Sequence, residues 1–183
     1  MNLFFRLLLL LIRDRFFVGP IGYLETATLR HRVWITDQDA FMHMNNTRYM
    51  SIADLAVIDL TIRTGVFRAM RKAGLTPVVV YKDIGIHRPL KFPQDYEVQS
   101  RICGWNGPYV FFEHSFLRKG KLHAEAVTIG RIIGKRGERP TAQEMIETLG
   151  LDSLPESPPV SKRLLAEVSR LEERRTHDSQ SSP

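Results

Sequence analysis

Thiols are nearly missing from this sequence: Cys103 is the single cysteine in 183 residues. That excludes an intramolecular disulfide and any Cys-rich zinc site, and it makes a reducing compartment, the cytoplasm, the default location. Long hydrophobic runs are missing too. The most apolar stretch, residues 3–12, is interrupted by Arg6, and as a helix it would reach about 15 Å, half of a bilayer core. It cannot span a membrane. Charge follows the run as Arg13-Asp14-Arg15, and no small-residue cleavage site succeeds it, so it does not read as a cleaved signal. The chain has no Gly-x-Ser-x-Gly elbow, no His-Glu-x-x-His pair and no phosphate-binding glycine loop. These absences argue against serine-hydrolase, zinc-hydrolase and nucleotide-dependent chemistry and predict neither metal nor cofactor.

What is present is an ordinary globular composition, 43% hydrophobic and 25% charged, sized for one domain with extensions. The net charge of +6 is local. Residues 63–91 carry seven basic side chains against Asp83 alone, and residues 118–139 carry seven against Glu125 and Glu138. Phosphate-bearing small ligands suit such patches. No zinc-finger spacing, aromatic RNA-binding strand or basic helical repeat accompanies them, so nucleic acid is not an expected partner.

Residues 29–36 alternate, which predicts a first strand. Asn46 reads as the N-cap of a helix that buries Tyr49, Ala53, Ala56 and Leu60 and ends at Gly65. A short basic helix or loop follows at 68–74, and then strands at 78–86, 96–103, 109–117 and 122–133. Residues 141–149 predict a small helix, 154–159 a linker, 161–175 a charged helix and 176–183 a frayed tail. The domain division is 1–20 for the apolar N-terminal helix, 21–140 for the main domain and 141–175 for a helical extension. An α+β architecture follows, β-α-β-β-β-β, with a curved antiparallel sheet wrapped around one long helix. Its exposed edges and uncovered outer face predict a homodimer or a dimer of dimers. In the N-terminal segment Asn2, Arg6 and Arg13 share one stripe, leaving Leu3, Phe4, Leu7, Leu8, Leu11 and Ile12 as an apolar face. This is the pattern of a helix lying in a lipid interface, with its arginines reaching lipid phosphates, and the inner face of a membrane is then the alternative location; docking on the domain or on a partner subunit fits as well.

The densest polar cluster, residues 37–49, lies between the first strand and the helix. Carboxylates, an imidazole and two amides meet there beside helix-start N–H groups, the place where an oxyanion would be stabilised. Asp37 or Asp39 could instead cap the turn, Asp54 is a possible second carboxylate, Asp59 with Arg63 reads as a surface pair, and Cys103 as a buried apolar residue.

The Asp-x-Asp pair followed by His-x-Asn-Asn-x-x-Tyr, after a strand and at a helix start, resembles the hotdog-fold acyl-CoA thioesterases of the broad 4-hydroxybenzoyl-CoA thioesterase-like group. The resemblance runs from about Thr28 to Gly137 and includes Arg88-Pro89-Leu90. It implies hydrolysis of an acyl-CoA to a carboxylic acid and free CoA, with CoA present only as part of the substrate. Asp39 would be the catalytic carboxylate, His43 and Asn46 would orient the loop, and amides near Asn45 and Thr47 would polarise the thioester carbonyl. Tyr49 and Asn45 line the substrate side, and Arg88, Lys91 and Lys121 would meet the CoA phosphates. Two departures stand out: Met42 replaces a common glycine before the histidine, and Gln94-Asp95 stands where many members have Gly-Asp. The rival readings are a weakly catalytic acyl-binding protein at a membrane and a hotdog dehydratase acting on acyl carriers.

Overall fold

Asn45 sits in an extended conformation, φ −60° and ψ 140°, and its side chain accepts the backbone N–H of Thr47. This cap, worth about 1 kcal/mol, starts helix α2 (Asn46–Arg63) one residue earlier than the sequence suggests, because the side chain that turns back is that of Asn45 and not Asn46. Along α2, Tyr49, Ile52, Ala53, Leu55, Ala56 and Leu60 are buried, and each large side chain contributes about 1.5–3 kcal/mol by leaving water. Gly65 at φ 78° ends the helix and opens α3 (Val66–Ala73).

The computed structural model describes residues 3–134, 140, 144 and 160–180. Around α2 curls one antiparallel sheet of β1 (Ala27–Arg32), β2 (Thr76–Ile86), β3 (Asp95–Asn106), β4 (Tyr109–Arg118) and β5 (Lys121–Ile133). The spatial order is β1-β3-β4-β5-β2, with β1 and β2 at the edges. The inner face supplies Leu29, Tyr96, Val98, Phe116, Ala124 and Ala126 to the core under α2. The small helix and linker predicted between 141 and 159 lie outside the described residues, apart from Glu144.

Five expectations change. The first strand ends at Arg32 rather than residue 36, because the Asp37 carboxylate accepts the Trp34 N–H at 2.9 Å and draws Ile35–Asp37 into a 3-10 turn. The outer face of the sheet is partly covered: helix α4 (Lys162–Gln180) lays Leu164 and Val168 on Tyr109, Phe111 and Ile129. That helix also runs through residues 176–180, where a frayed tail was expected. Asp59 is fully buried, so its pair is not a surface one; it is contacted by Arg13 and lies 3.7 Å from Arg63.

The fifth concerns the N-terminal helix α1 (Leu3–Phe16). It docks on the domain with its polar stripe inward. Arg6 is 3% exposed and contacts Asp37, Arg13 contacts Asp14 and Asp59, and Leu3, Leu7 and Leu10 complete the inward side. The arginines therefore do not reach outward, because buried carboxylates hold them. Phe5, Leu8, Leu9 and Ile12 point to the exterior. Asn2 lies outside the described residues. No helix among the described residues is long and apolar enough to cross a membrane.

Two histidines lie in this interior. His31 packs against Tyr96, and burial, helped by Arg6 and Arg13, pushes its pKa down to about 4. His114 is 1% exposed between Ser100 Oγ at 2.8 Å and Thr128 Oγ1 at 3.2 Å; burial, then Lys82, lowers it to about 4 as well. Burial acts oppositely on Asp59, raising it to about 6 against the pull of Arg13 and Arg63. Depressed histidines stabilise the fold above their unfolded pKa near 6.5 and cease to do so as pH falls through about 4, while the raised aspartate works the other way in the same window. The two histidines outweigh it by about one proton. We therefore expect unfolding free energy to fall by on the order of 1 kcal/mol per pH unit between pH 6.5 and 4, measured by urea denaturation across that range, with Asp59→Asn steepening the loss.

Candidate active site

The loop from Asp37 to Asn45 closes on itself. The Asp37 carbonyl accepts the Asn45 N–H at 2.9 Å, the Asp39 N–H donates to the His43 carbonyl at 2.8 Å, and Gln38 bridges Met44. The Asp39 carboxylate fills the ring, accepting N–H bonds from Phe41 at 2.9 Å and His43 at 3.2 Å. Such a ring needs one left-handed residue, and Met42 supplies it at φ 60°, the conformation a glycine takes without strain. Its side chain and that of Phe41 stand exposed at the rim.

Asp37 is the anchor below the ring. Its side chain is fully buried, contacted by Arg6 and 3.5 Å from Arg48. The turn-cap reading of Asp37 fits its bond from the Trp34 N–H, but its ion pair with Arg6 is not visible in the sequence; the Arg6/Arg13 stripe carries that signal and is compatible there with lipid or with docking on the domain.

The helix start leaves one donor open. Met44 N–H goes to the Leu90 carbonyl, Thr47 N–H to the Asn45 side chain and Arg48 N–H to the Asn45 carbonyl. Among the described residues around the turn, Asn46 N–H has no such partner. Asn46 and Thr47 are exposed, His43 is half-buried, and the Thr47 hydroxyl donates to Asn45 at 2.7 Å.

Tyr49 is fully buried, as its place in the helix pattern predicts, and so does not line the substrate side; its hydroxyl accepts the Leu90 N–H at 2.9 Å, and its ring meets Phe116 edge-on. It is a strut. With the Met44–Leu90 bond it fastens the segment holding Arg88 and Lys91, both exposed, to the helix start. His123 reaches the Arg88 carbonyl at 3.0 Å, so the start of β5, with exposed Lys121, belongs to the same end of the sheet. Asp54 lies elsewhere, eight residues along α2, about 12 Å from its start. Lys82 of β2 pairs with it at 2.5 Å.

Beyond Asp54 a cavity of about 390 Å³ runs between α2, α3 and the sheet, lined chiefly by Val57, Ile58, Phe67, Val79, Ile102 and Phe112. Its size falls within the range of small-ligand sites. Cys103 is half-buried, and burial raises its thiol to about 12, which keeps it protonated. No group of three or more His, Cys, Asp or Glu that could hold a metal occurs among the described residues.

A sequence model described as the Thioesterase-like superfamily matches residues 33–167, well over half of the chain. The chain belongs to the thioesterase-like superfamily. Its curated relatives include Protein THEM6 of Danio rerio, 32% identical over 116 residues (63% of this chain and 57% of the relative), and of Xenopus laevis, 30% identical over 105 residues (56% and 51%). The chain thus matches over half the length of those relatives. Among solved structures, the probable thioesterase YbaW of Escherichia coli superposes with TM-score 0.62 at 22% identity, covering 67% of this chain and 95% of that one. A 1,4-dihydroxy-2-naphthoyl-CoA thioesterase of Synechocystis superposes with TM-score 0.59 at 13% identity, covering 72% and 100%. These superpositions establish the hotdog fold, and superfamily membership supports a thioesterase-type function.

Two measurements probe the loop. Asp37→Asn leaves Arg6 as a buried charge without its partner, and should cost about 3–5 kcal/mol in chemical denaturation. Met42→Gly relieves the left-handed strain and should stabilise by about 1 kcal/mol, with the same denaturant m-value.

Proposed function

We propose that this protein hydrolyses an acyl-CoA thioester to the carboxylic acid and free CoA. The observation that carries the reading is the open Asn46 N–H at the start of α2, beside the loop that presents the Asp39 carboxylate. A helix-start N–H combines a free donor with the positive end of the helix dipole, the arrangement that stabilises a thioester carbonyl as it becomes an oxyanion. Asp39 attacks the carbonyl or draws the proton from a water that does. Its place in the ring, held by two backbone donors, fixes its direction. Arg88, Lys91 and Lys121, gathered at the same end of the sheet, receive the CoA phosphates, and the apolar cavity along α2 receives the acyl group. CoA enters only as part of the substrate, and lipid metabolism is the setting this chemistry fits.

The active species in this reading is a homodimer or a dimer of dimers. Edge strand β2 is 11 residues long, and Val78 and Val79 are 37% and 45% exposed, an edge that invites pairing with a second copy.

Asn46→Pro tests the oxyanion assignment. Proline suits the first helical position, Asn45 already has the extended conformation that a following proline requires, and the substitution removes the N–H. Turnover on an acyl-CoA panel, read as thiol release, should fall by about 10²–10³-fold while the melting temperature holds; Asn46→Ala, which keeps the N–H, should stay near the parent. Asp39→Asn should lower kcat by about 10²–10⁴-fold with the loop intact. Equal turnover by a folded Asn46→Pro protein rejects the donor. A parent that releases no thiol from any acyl-CoA is a binding protein, and one that converts hydroxyacyl to enoyl thioesters without thiol release is a dehydratase.

A further inference from the structure

The outward side of α1 is a ridge of large apolar residues. Phe5 and Leu9 are each 56% exposed, and Phe16 and Phe17 at its C-terminal end are 70% and 80% exposed. Single exposed apolar residues are ordinary, but a continuous ridge of this kind marks a contact surface. The ridge is locked in place. Rolling the helix over to bury its leucines would pull Arg6 from Asp37 and Arg13 from Asp59, stranding charges whose partners are fully buried.

Charge around the ridge selects its occupant. Alongside α1, a groove that includes Leu9 and Arg13 is edged by Arg30 and Arg32, which pair with Glu97 and Asp95, and by Arg118 and Lys119, which leave it a cationic excess. Beyond its C-terminal end, a second groove is lined by Arg63, Arg68 and Arg71 and by no carboxylate. An apolar ridge between cationic margins is matched by a surface offering hydrocarbon beneath a layer of phosphates. A second copy meeting this face by two-fold symmetry would set cation against cation.

We infer that α1 is a docking helix for an anionic lipid surface. It lies in the plane of the interface with its outward ridge among the acyl chains, while Lys119, Arg118, Arg68 and Arg71 meet the lipid phosphates. At 14 residues it is about 21 Å long and rests on the bilayer without crossing it. This contact is independent of thioester hydrolysis and is read without any substrate.

Flotation of the full chain with vesicles tests it. The protein should float with phosphatidylcholine vesicles containing phosphatidylglycerol and much less with phosphatidylcholine alone. Phe5→Ser with Leu9→Ser, both on the outward side, should lower the bound fraction at least about tenfold at unchanged melting temperature. Arg118→Gln with Lys119→Gln should weaken binding to anionic vesicles and flatten its salt dependence. Failure to float with anionic vesicles, or equal floating of parent and Phe5→Ser/Leu9→Ser protein, overturns the inference. So does equal binding to neutral and anionic vesicles. Sedimentation that finds an oligomer dissolved by Phe5→Ser/Leu9→Ser assigns the ridge to a second copy and overturns it too.

Discussion

The contact between Arg6 and Asp37 is the constraint on which the rest is built. Both side chains are out of water, so each is tolerable only because the other is there. Through its carboxylate Asp37 turns the chain after β1, and through its carbonyl it holds the N–H of Asn45, the residue that caps α2. One aspartate thus sets both ends of the loop that carries Asp39, and Arg6 joins that loop to a helix 31 residues earlier in the chain. Arg13 repeats the device lower down α2 by reaching Asp59. The N-terminal helix belongs to the domain's electrostatic framework, whatever its outward face meets.

The local chemistry follows from how the loop spends its donors. Nearly every backbone N–H between Phe41 and Arg48 is committed to Asp39, Asp37, Leu90 or Asn45. A rigid ring with one open donor is preorganised, so under the proposed reading little reorganisation would be needed as charge develops on a bound carbonyl. The left-handed Met42 is the strain stored in that arrangement.

Much of this was legible in the residues. The helix of α2 shows in its apolar spacing and Gly65, and the four later strands show in their alternation and in the turns at Asn106-Gly107 and Lys119-Gly120. The polar cluster at 37–49 was legible as a candidate site because carboxylates and amides rarely concentrate between a strand and a helix. Long-range pairing was not. A sequence stripe shows that Arg6 and Arg13 share a side of α1, yet it cannot say whether that side meets water, lipid or a buried aspartate 31 or 46 residues away. The same limit hid Lys82 behind Asp54 and made Asp59 look like a surface residue, since its nearest sequence partner, Arg63, is not its main one. Cap identity failed for a smaller reason: Asn45 and Asn46 are chemically alike, and backbone dihedrals alone decide which turns back.

The wiring of α1 also bears on the order in which the chain can assemble. A 14-residue helix is marginal in water by itself. Its arginines have no buried partner until Asp37 and then Asp59 have been made and folded, so during synthesis this apolar segment emerges before the residues that hold it and docks only after them. Until then its leucines and phenylalanines are open to any hydrophobic surface nearby, and a chaperone or a bilayer that meets the nascent chain meets this segment before the domain exists to hold it.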